Sequence, residues 1–451
     1  MEGCAIFAQH KLDSEGDMIT RQKGFTLIEL LISMAVFVIS LMLVSNFFTG
    51  QLMLFKQQAR TAESNIEGIV GLEALRQDIK GAGYGLLWSY PDSGTGYTGS
   101  GYSEATSSPA IKYNDPGTSA PRAILSGNDG TNPDATASGT LNKSDYLVIK
   151  AINVATSPTA RKWTSLQCSA SDPNCLTFSS SPPGNPRVWT YADGITPTPD
   201  NLSSTDNVIV LSTMVQDLGQ RVLVTNGNIF SVTYGANGAN LQGSPWQPSN
   251  GTTTSLVYGV DPASTLRVPF NRADYYIARS SSTPQRCATN AAGTGGTGVL
   301  YKAVLNQSTS GADFTLFPLL DCVADMQVVF GLDQDSQGQI NCYTNDLSNL
   351  KDHGEKDIAT KTRNQVKEVR VYILAQEGQR DSTFNFTNFS GSTCSSGKCV
   401  RVGEASSASM PGCSGETLFG DDFDLTNIAN WQNYRWKVYT LIVTPDNLTG
   451  D

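Results

Sequence analysis

Across 451 residues the chain carries 31 Lys and Arg against 41 Asp and Glu, a formal charge of −10. That acidity argues against a general nucleic-acid binder, which shows a basic domain or stripe. Beyond an N-terminal helix ending near Lys80, the remaining length suffices for one large domain or two modest ones.

The first 17 residues, MEGCAIFAQHKLDSEGD, show no helical or strand pattern, and Met18 offers a second start with the short leader MITRQKG. From Phe25 to Phe48 the chain reads FTLIELLISMAVFVISLMLVSNFF, with Glu29 its one ionisable side chain. About 20 apolar residues suffice to cross a bilayer as a helix. Arg21 and Lys23 precede the run, so the positive-inside bias keeps residues 1–24 cytoplasmic and sends the bulk outward. An intramembrane carboxylate costs about 2.5–3.5 kcal/mol even on the lenient insertion scale, which marks Glu29 as functional and in need of a cationic partner. A secretory signal peptide would carry a short apolar core with its cleavage site behind it. A plain anchor would leave Glu29 unexplained.

With no proline before Pro91, one helix is expected from Phe25 to Lys80: a transmembrane part over 25–48 and an amphipathic part over 49–80. In the second part Ala62, Ile66, Ile69, Leu72, Leu75 and Ile79 recur at spacings of three and four, a stripe that should pack on a sheet. The run Gly81-Ala82-Gly83-Tyr84-Gly85 should stop the helix. Residues 81–451 read as one β-rich extracytoplasmic domain, with residues 89–140, rich in Gly, Ser, Thr, Asn and Pro, as long loops or an insertion. Strands are expected at 145–150, 207–211, 220–224, 275–279, 299–305, 325–332, 366–375 and 436–443. The last is apolar on both faces and reads as a central strand buried on both sides. No comparable helical pattern separates the strands, so the fold class is α+β: a long N-terminal helix packed on a mainly antiparallel sheet with long loops.

Nine cysteines are present, Cys4 in or before the leader. The other eight, Cys168, Cys175, Cys287, Cys322, Cys342, Cys394, Cys399 and Cys413, read as disulfides of an exported domain. The close pairs Cys168/Cys175 and Cys394/Cys399 should close local loops; the other four stay unassigned. Zinc is disfavoured, because there is no C-x-x-C pair and His353 is the one histidine after the leader. In DQDSQG, residues 333–338, alternate oxygen donors precede a glycine, as in a calcium loop. The twelfth position is Thr344 rather than a carboxylate, so the match is partial. Asp333 and Asp335 are the candidate calcium ligands, and a polar β-turn is the competing reading. No cofactor is otherwise implied. Nucleotide-binding loops, metalloprotease helices and nucleophile elbows are absent, and nothing points to an enzyme. Trp163, Trp189, Trp246 and Trp431 lie in loop-like regions, where core packing and an adhesive surface compete.

The block Gly24-Phe25-Thr26-Leu27-Ile28-Glu29 resembles the prepilin signature of type IV pilins and type II secretion pseudopilins. The resemblance implies that a prepilin peptidase cuts between Gly24 and Phe25 and N-methylates Phe25. Glu29 becomes the fifth mature residue and the assembly contact for a neighbour's terminal amine. Cleavage leaves 28 basic against 37 acidic residues. Four further blocks, LEALRQDIKGAGYG (72–85), PLLDCVADMQVVFGLDQDSQG (318–338), VKEVRVYILA (366–375) and YRWKVYTLIVTPDNL (434–448), look like the corresponding stretches of PilW-type minor pilins. Cys322 departs from that pattern, where a small or polar residue is expected. The implied role is a structural and priming component of type IV pilus assembly. Its implied partners are major and minor pilins, an inner-membrane assembly platform and an adhesin-like partner at the tip. A minor pseudopilin and a membrane-tethered binding protein are the alternatives. The implied location is the inner membrane, single-pass with the C-terminal domain in the periplasm, and then the pilus.

Overall fold

The computed structural model describes residues 24–91, 96–128, 140–167, 186–214, 217–248, 253–262, 265–292, 295–355 and 357–448. Residues 1–23 of the leader, Met18 among them, and the pair Cys168/Cys175 lie outside them. Helix α1 spans Leu27–Lys80, and the chain divides into two compact units between Gln58 and Ala59. Its end follows from backbone freedom: Gly83 and Gly85 take φ of +83° and +68°, where a side chain would be strained. Then come β1 (Ile124–Asn128), β2 (Asp145–Lys150), β3 (Trp163–Gln167), β4 (Asn207–Met214), β5 (Asp217–Leu223), β6 (Val232–Thr233) and β7 (Thr253–Asp261). The chain continues through β8 (Arg272–Ala278), β9 (Gly298–Leu305), β10 (Phe314–Leu332), β11 (Cys342–Thr344), the short helix α2 (Ile358–Gln365) and β12 (Val366–Glu377). It closes with β13 (Cys399–Ala405), β14 (Leu418–Asp424) and β15 (Arg435–Val443).

The main sheet has eight strands in the order β1-β2-β8-β9-β10-β12-β15, with β11 added to β10, and every pairing is antiparallel. A five-stranded sheet runs β3-β7-β4-β5 with β6 on β4, and β13 and β14 form a hairpin. Strands β10 and β12 carry the centre. Alternate residues Met326, Val328 and Phe330 of β10 and Val369, Val371 and Ile373 of β12 join the core that holds Leu72, Leu75 and Ile79 of α1. The intervening Val329, Tyr372 and Leu374 face a second core with Val400, Val402, Phe419 and Trp436. The α+β reading holds: an apolar N-terminal helix followed by antiparallel sheets with long loops.

Three expectations change. Residues 436–443 lie in β15, the sheet's edge, where Thr440 and Ile442 are exposed. The second core covers only the Trp436 and Val438 end of one face. Tyr439, Leu441 and Val443 meet the first core from the other. Two layers that each cover part of the strand give it two apolar faces without making it central. Ile69, expected in the buried stripe, is 64% exposed. The buried line runs instead through Gly68, Gly71, Leu72, Leu75 and Ile79, because the helix meets β10 through its glycines. Finally, the stretch expected to be loops contributes β1 to the main sheet, registered Ile124 to Ile149 and Leu125 to Val148 on β2.

Candidate functional site

At the N-terminus the side chains form a local hydrogen-bonded start. The Thr26 backbone N–H and Oγ1 both donate to Glu29 Oε2 at 2.9 Å, and the Glu29 N–H donates to Thr26 Oγ1 at 3.4 Å. This is a capping box, Thr at the N-cap and Glu three residues on, satisfying donors that a helix start otherwise leaves orphaned. The T-x-x-E signature is present in the sequence, but reading Glu29 as a membrane acid in need of a cation passes over it. Oε2 makes both bonds; Oε1 makes none among the described residues. Every residue from Gly24 to Leu52 is exposed, including Phe25, Leu27, Ile28 and Phe37. Residues Leu27–Leu52 form the one helix among the described residues long and apolar enough to cross a membrane, 26 residues. At about 1.5 Å per residue such a helix exceeds the bilayer core of about 30 Å. Burying one large apolar side chain is worth about 1.5–3 kcal/mol, so a face this exposed calls for lipid or other helices around it.

The later turns of α1 belong to the second unit and are fixed to its sheet. A Cβ on Gly71 would lie 1.9 Å from the Leu319 carbonyl oxygen, and one on Gly68 would lie 3.1 Å from Leu320 Cδ1. At Gly71 the two backbones meet because that residue carries no side chain, whereas at Gly68 the helix meets a side-chain end. Asp78 pairs with Lys302 of β9 and accepts the Tyr275 hydroxyl of β8. Burial raises its carboxyl above the usual range, against the pull of Lys302. The Lys80 carbonyl accepts the Asp446 N–H at 2.9 Å.

Asp333 and Asp335 lie in a tight turn. Asp333, buried after β10, accepts the Gln337 N–H on Oδ1 (3.1 Å) and the Gly338 N–H on Oδ2 (2.8 Å). Asp335 is exposed and accepts the Gln337 N–H at 3.3 Å. Among the described residues no group of three His, Cys, Asp or Glu gathers to hold a metal. Cys394 bonds Cys399, and the four unassigned cysteines pair as Cys287–Cys322 and Cys342–Cys413. Cys322 has φ of +57° at an irregularity in the β9–β10 register, and its bond ties that point to the loop after β8. The tryptophans pack: Trp163 and Trp189 lie edge to face at 5.0 Å, Trp431 meets Phe389 at 5.7 Å, and Trp246 is buried.

Residues 19–45 match the prokaryotic N-terminal methylation motif, and residues 274–444 match the Type IV Pilus-assembly protein W family. No curated protein and no solved structure matches the chain. The second match begins in β8 and runs into the residue after β15, taking in β9, β10 and β12 of the sheet's centre.

Proposed function

From a chain that joins a prepilin methylation motif to a type IV pilus-assembly domain, we infer a PilW-type minor pilin that helps to start pilus assembly. In this reading a prepilin peptidase in the inner membrane cuts between Gly24 and Phe25 and methylates the new amine. The helix then holds the protein in the membrane as a single span, with the β-rich domain in the periplasm. The assembly platform moves it into a bundle with major and minor pilins, at or near a tip that also carries an adhesin-like subunit. The match over residues 274–444 favours a pilus over a secretion pseudopilus.

The observation that carries the reading is Glu29, on an exposed apolar helix, with one oxygen occupied by its own cap and the other free of bonds among the described residues. Surrounded by neighbouring helices, that carboxylate needs a cation, and the Phe25 amine of an adjacent subunit supplies one without breaking the cap. Removing one partner of a buried pair costs about 3–5 kcal/mol, enough to fix axial register. The test is mass spectrometry of the mature N-terminus together with co-purification from sheared pili. N-methylphenylalanine at Phe25 and recovery with other pilins is the expected result. An intact residue 1–24 leader in the membrane-resident protein, with none in the pilus fraction, would overturn it.

A further inference from the structure

Glu104 and Asp115 lie in the glycine- and serine-rich stretch before β1, yet both are buried against the last residue of β2. Lys150 Nζ stands 2.6 Å from Asp115 Oδ2 and 2.8 Å from Glu104 Oε1, and the three side chains are at most 4% exposed. Arg122 Nε holds the other Asp115 oxygen, Oδ1, at 2.6 Å, and the Arg122 backbone N–H donates to Oδ2 at 2.9 Å. Glu104 Oε1 also accepts the Asp115 N–H at 2.8 Å and the Tyr102 hydroxyl at 3.1 Å, while its Oε2 pairs with Arg272 at 2.7 Å. The Phe270 ring lies 5.5 Å from Nζ. A buried ion pair is weak evidence for stability, since apolar residues of similar volume commonly do as well. Here an amine, a carboxyl and a second carboxylate touching that amine converge where water is excluded.

We infer that Lys150 and Asp115 condense to an intramolecular isopeptide bond, with Glu104 relaying the protons. Burial pushes the Asp115 carboxyl up, and Lys150 and Arg122 more than offset it, so the resting pair is ionic and the reaction needs a relay. Glu104 takes a proton from the Lys150 ammonium, and the freed Nζ attacks Asp115 Cγ. A C–N bond forms. Arg122 stabilises the negative charge on Oδ1, which stays as the amide oxygen. Oδ2 leaves with two protons taken from the ammonium, as one water, and nothing is oxidised or reduced. Condensation removes one positive and one negative charge, so Arg122, Arg272, Glu104 and Asp274 remain in balance. Exclusion of bulk water disfavours the reverse hydrolysis. The bond would staple the segment before β1, the sheet's terminal strand, to the end of β2, and shield the intervening chain from extension under load.

The full-length protein, extracted from membranes in detergent, denatured and fully reduced, is weighed intact and then digested. The wild type should be one water lighter than the linear mass of the same chain with its N-terminal processing counted, with the Asp115 and Lys150 peptides joined. Asp115→Asn should reach the same final mass by releasing ammonia, and Asp115→Ala should match its linear mass. Glu104→Gln should leave most chains linear; crosslinking at the wild-type level in that variant would overturn the relay. A wild-type chain of linear mass whose two peptides separate would overturn the bond itself and leave an ion pair only.

Discussion

Gly71→Ala should be among the most damaging single-methyl additions in the second unit. The new Cβ would stand 1.9 Å from the Leu319 carbonyl oxygen and 2.6 Å from its carbon, both backbone atoms of β10. Leu319 lies between Pro318 and Leu320, which pair with Tyr301 and Leu300 of β9, so the strand is tied there through β9. Relief must come from the helix, whose movement unseats Leu72, Leu75 and Ile79, now at most 5% exposed. Overpacking costs about 1–3 kcal/mol. Partial loss of three aliphatic anchors, each worth about 1.5–3 kcal/mol when fully buried, brings the expected total to about 3–5 kcal/mol. Two glycines of the same helix supply the scale. On Gly68 the Cβ meets a movable side-chain end at 3.1 Å, and on Gly50 it meets nothing within 4 Å. Thermal melts of the detergent-extracted full chain should therefore rank Gly71→Ala far below Gly68→Ala. Gly50→Ala should be neutral or raised by about 0.5–1 kcal/mol, the helix preference for alanine. A Gly71→Ala protein that melts with the wild type would refute the close approach and the packing built on it.

Two further outcomes concern buried acids. Asp145 is raised to about 7 and Asp325 to about 8, by burial above all; hydrogen bonds from the Val328 N–H and the Gln327 amide pull the other way, and the Asp421 carboxylate, with Asp145 in the case of Asp325, contributes to the rise. The folded state therefore holds protons that an unfolded Asp releases near pH 4, so this stability is full below about pH 4 and is lost progressively as pH rises to about 8. Asp325→Asn should match the wild type near pH 4 and melt higher at pH 8, each tenfold difference in proton affinity being worth about 1.4 kcal/mol; a lower melt at pH 8 would reverse the sign. Asp333→Ala should lose about 2 kcal/mol through two N–H bonds to a charged acceptor, equally with and without calcium. A calcium-dependent rise in the wild-type melt, absent from that variant, would instead make the turn a cation site.

The legible parts of the fold are those whose pattern is local. Strand β2 is readable to the residue because DYLVIK is buried along its whole length. Strand β10 is readable only over 325–332, since Pro318, Asp321 and Cys322 break the alternation; the structure absorbs that break in an irregular register with Cys322 at positive φ. Strand β1, ILSGN, has no strand signature of its own and exists through its pairing with β2. The buried Glu104 is beyond reach for a similar reason: its partners Lys150 and Arg272 lie 46 and 168 residues away. At the candidate site the cut position, Glu29 and the membrane-length helix are all legible in the sequence. The cap is legible too, as Thr26-Leu27-Ile28-Glu29, but the apolar run sets Glu29 against the membrane and draws the reading away from its pairing with Thr26.

That cap also supplies the most direct test of the assembly contact, because glutamine at the same position can serve in a capping box but carries no charge. Glu29→Gln should insert, lose its leader and keep the helix start, yet be missing from sheared pili. Loss of about 3–5 kcal/mol at the subunit contact predicts at least a 100-fold drop in incorporation. Quantitative immunoblotting of membrane and pilus fractions reads both numbers in one experiment. Wild-type incorporation of Glu29→Gln would contradict the claim that the carboxylate's charge, paired with a neighbour's Phe25 amine, holds the subunit in the pilus.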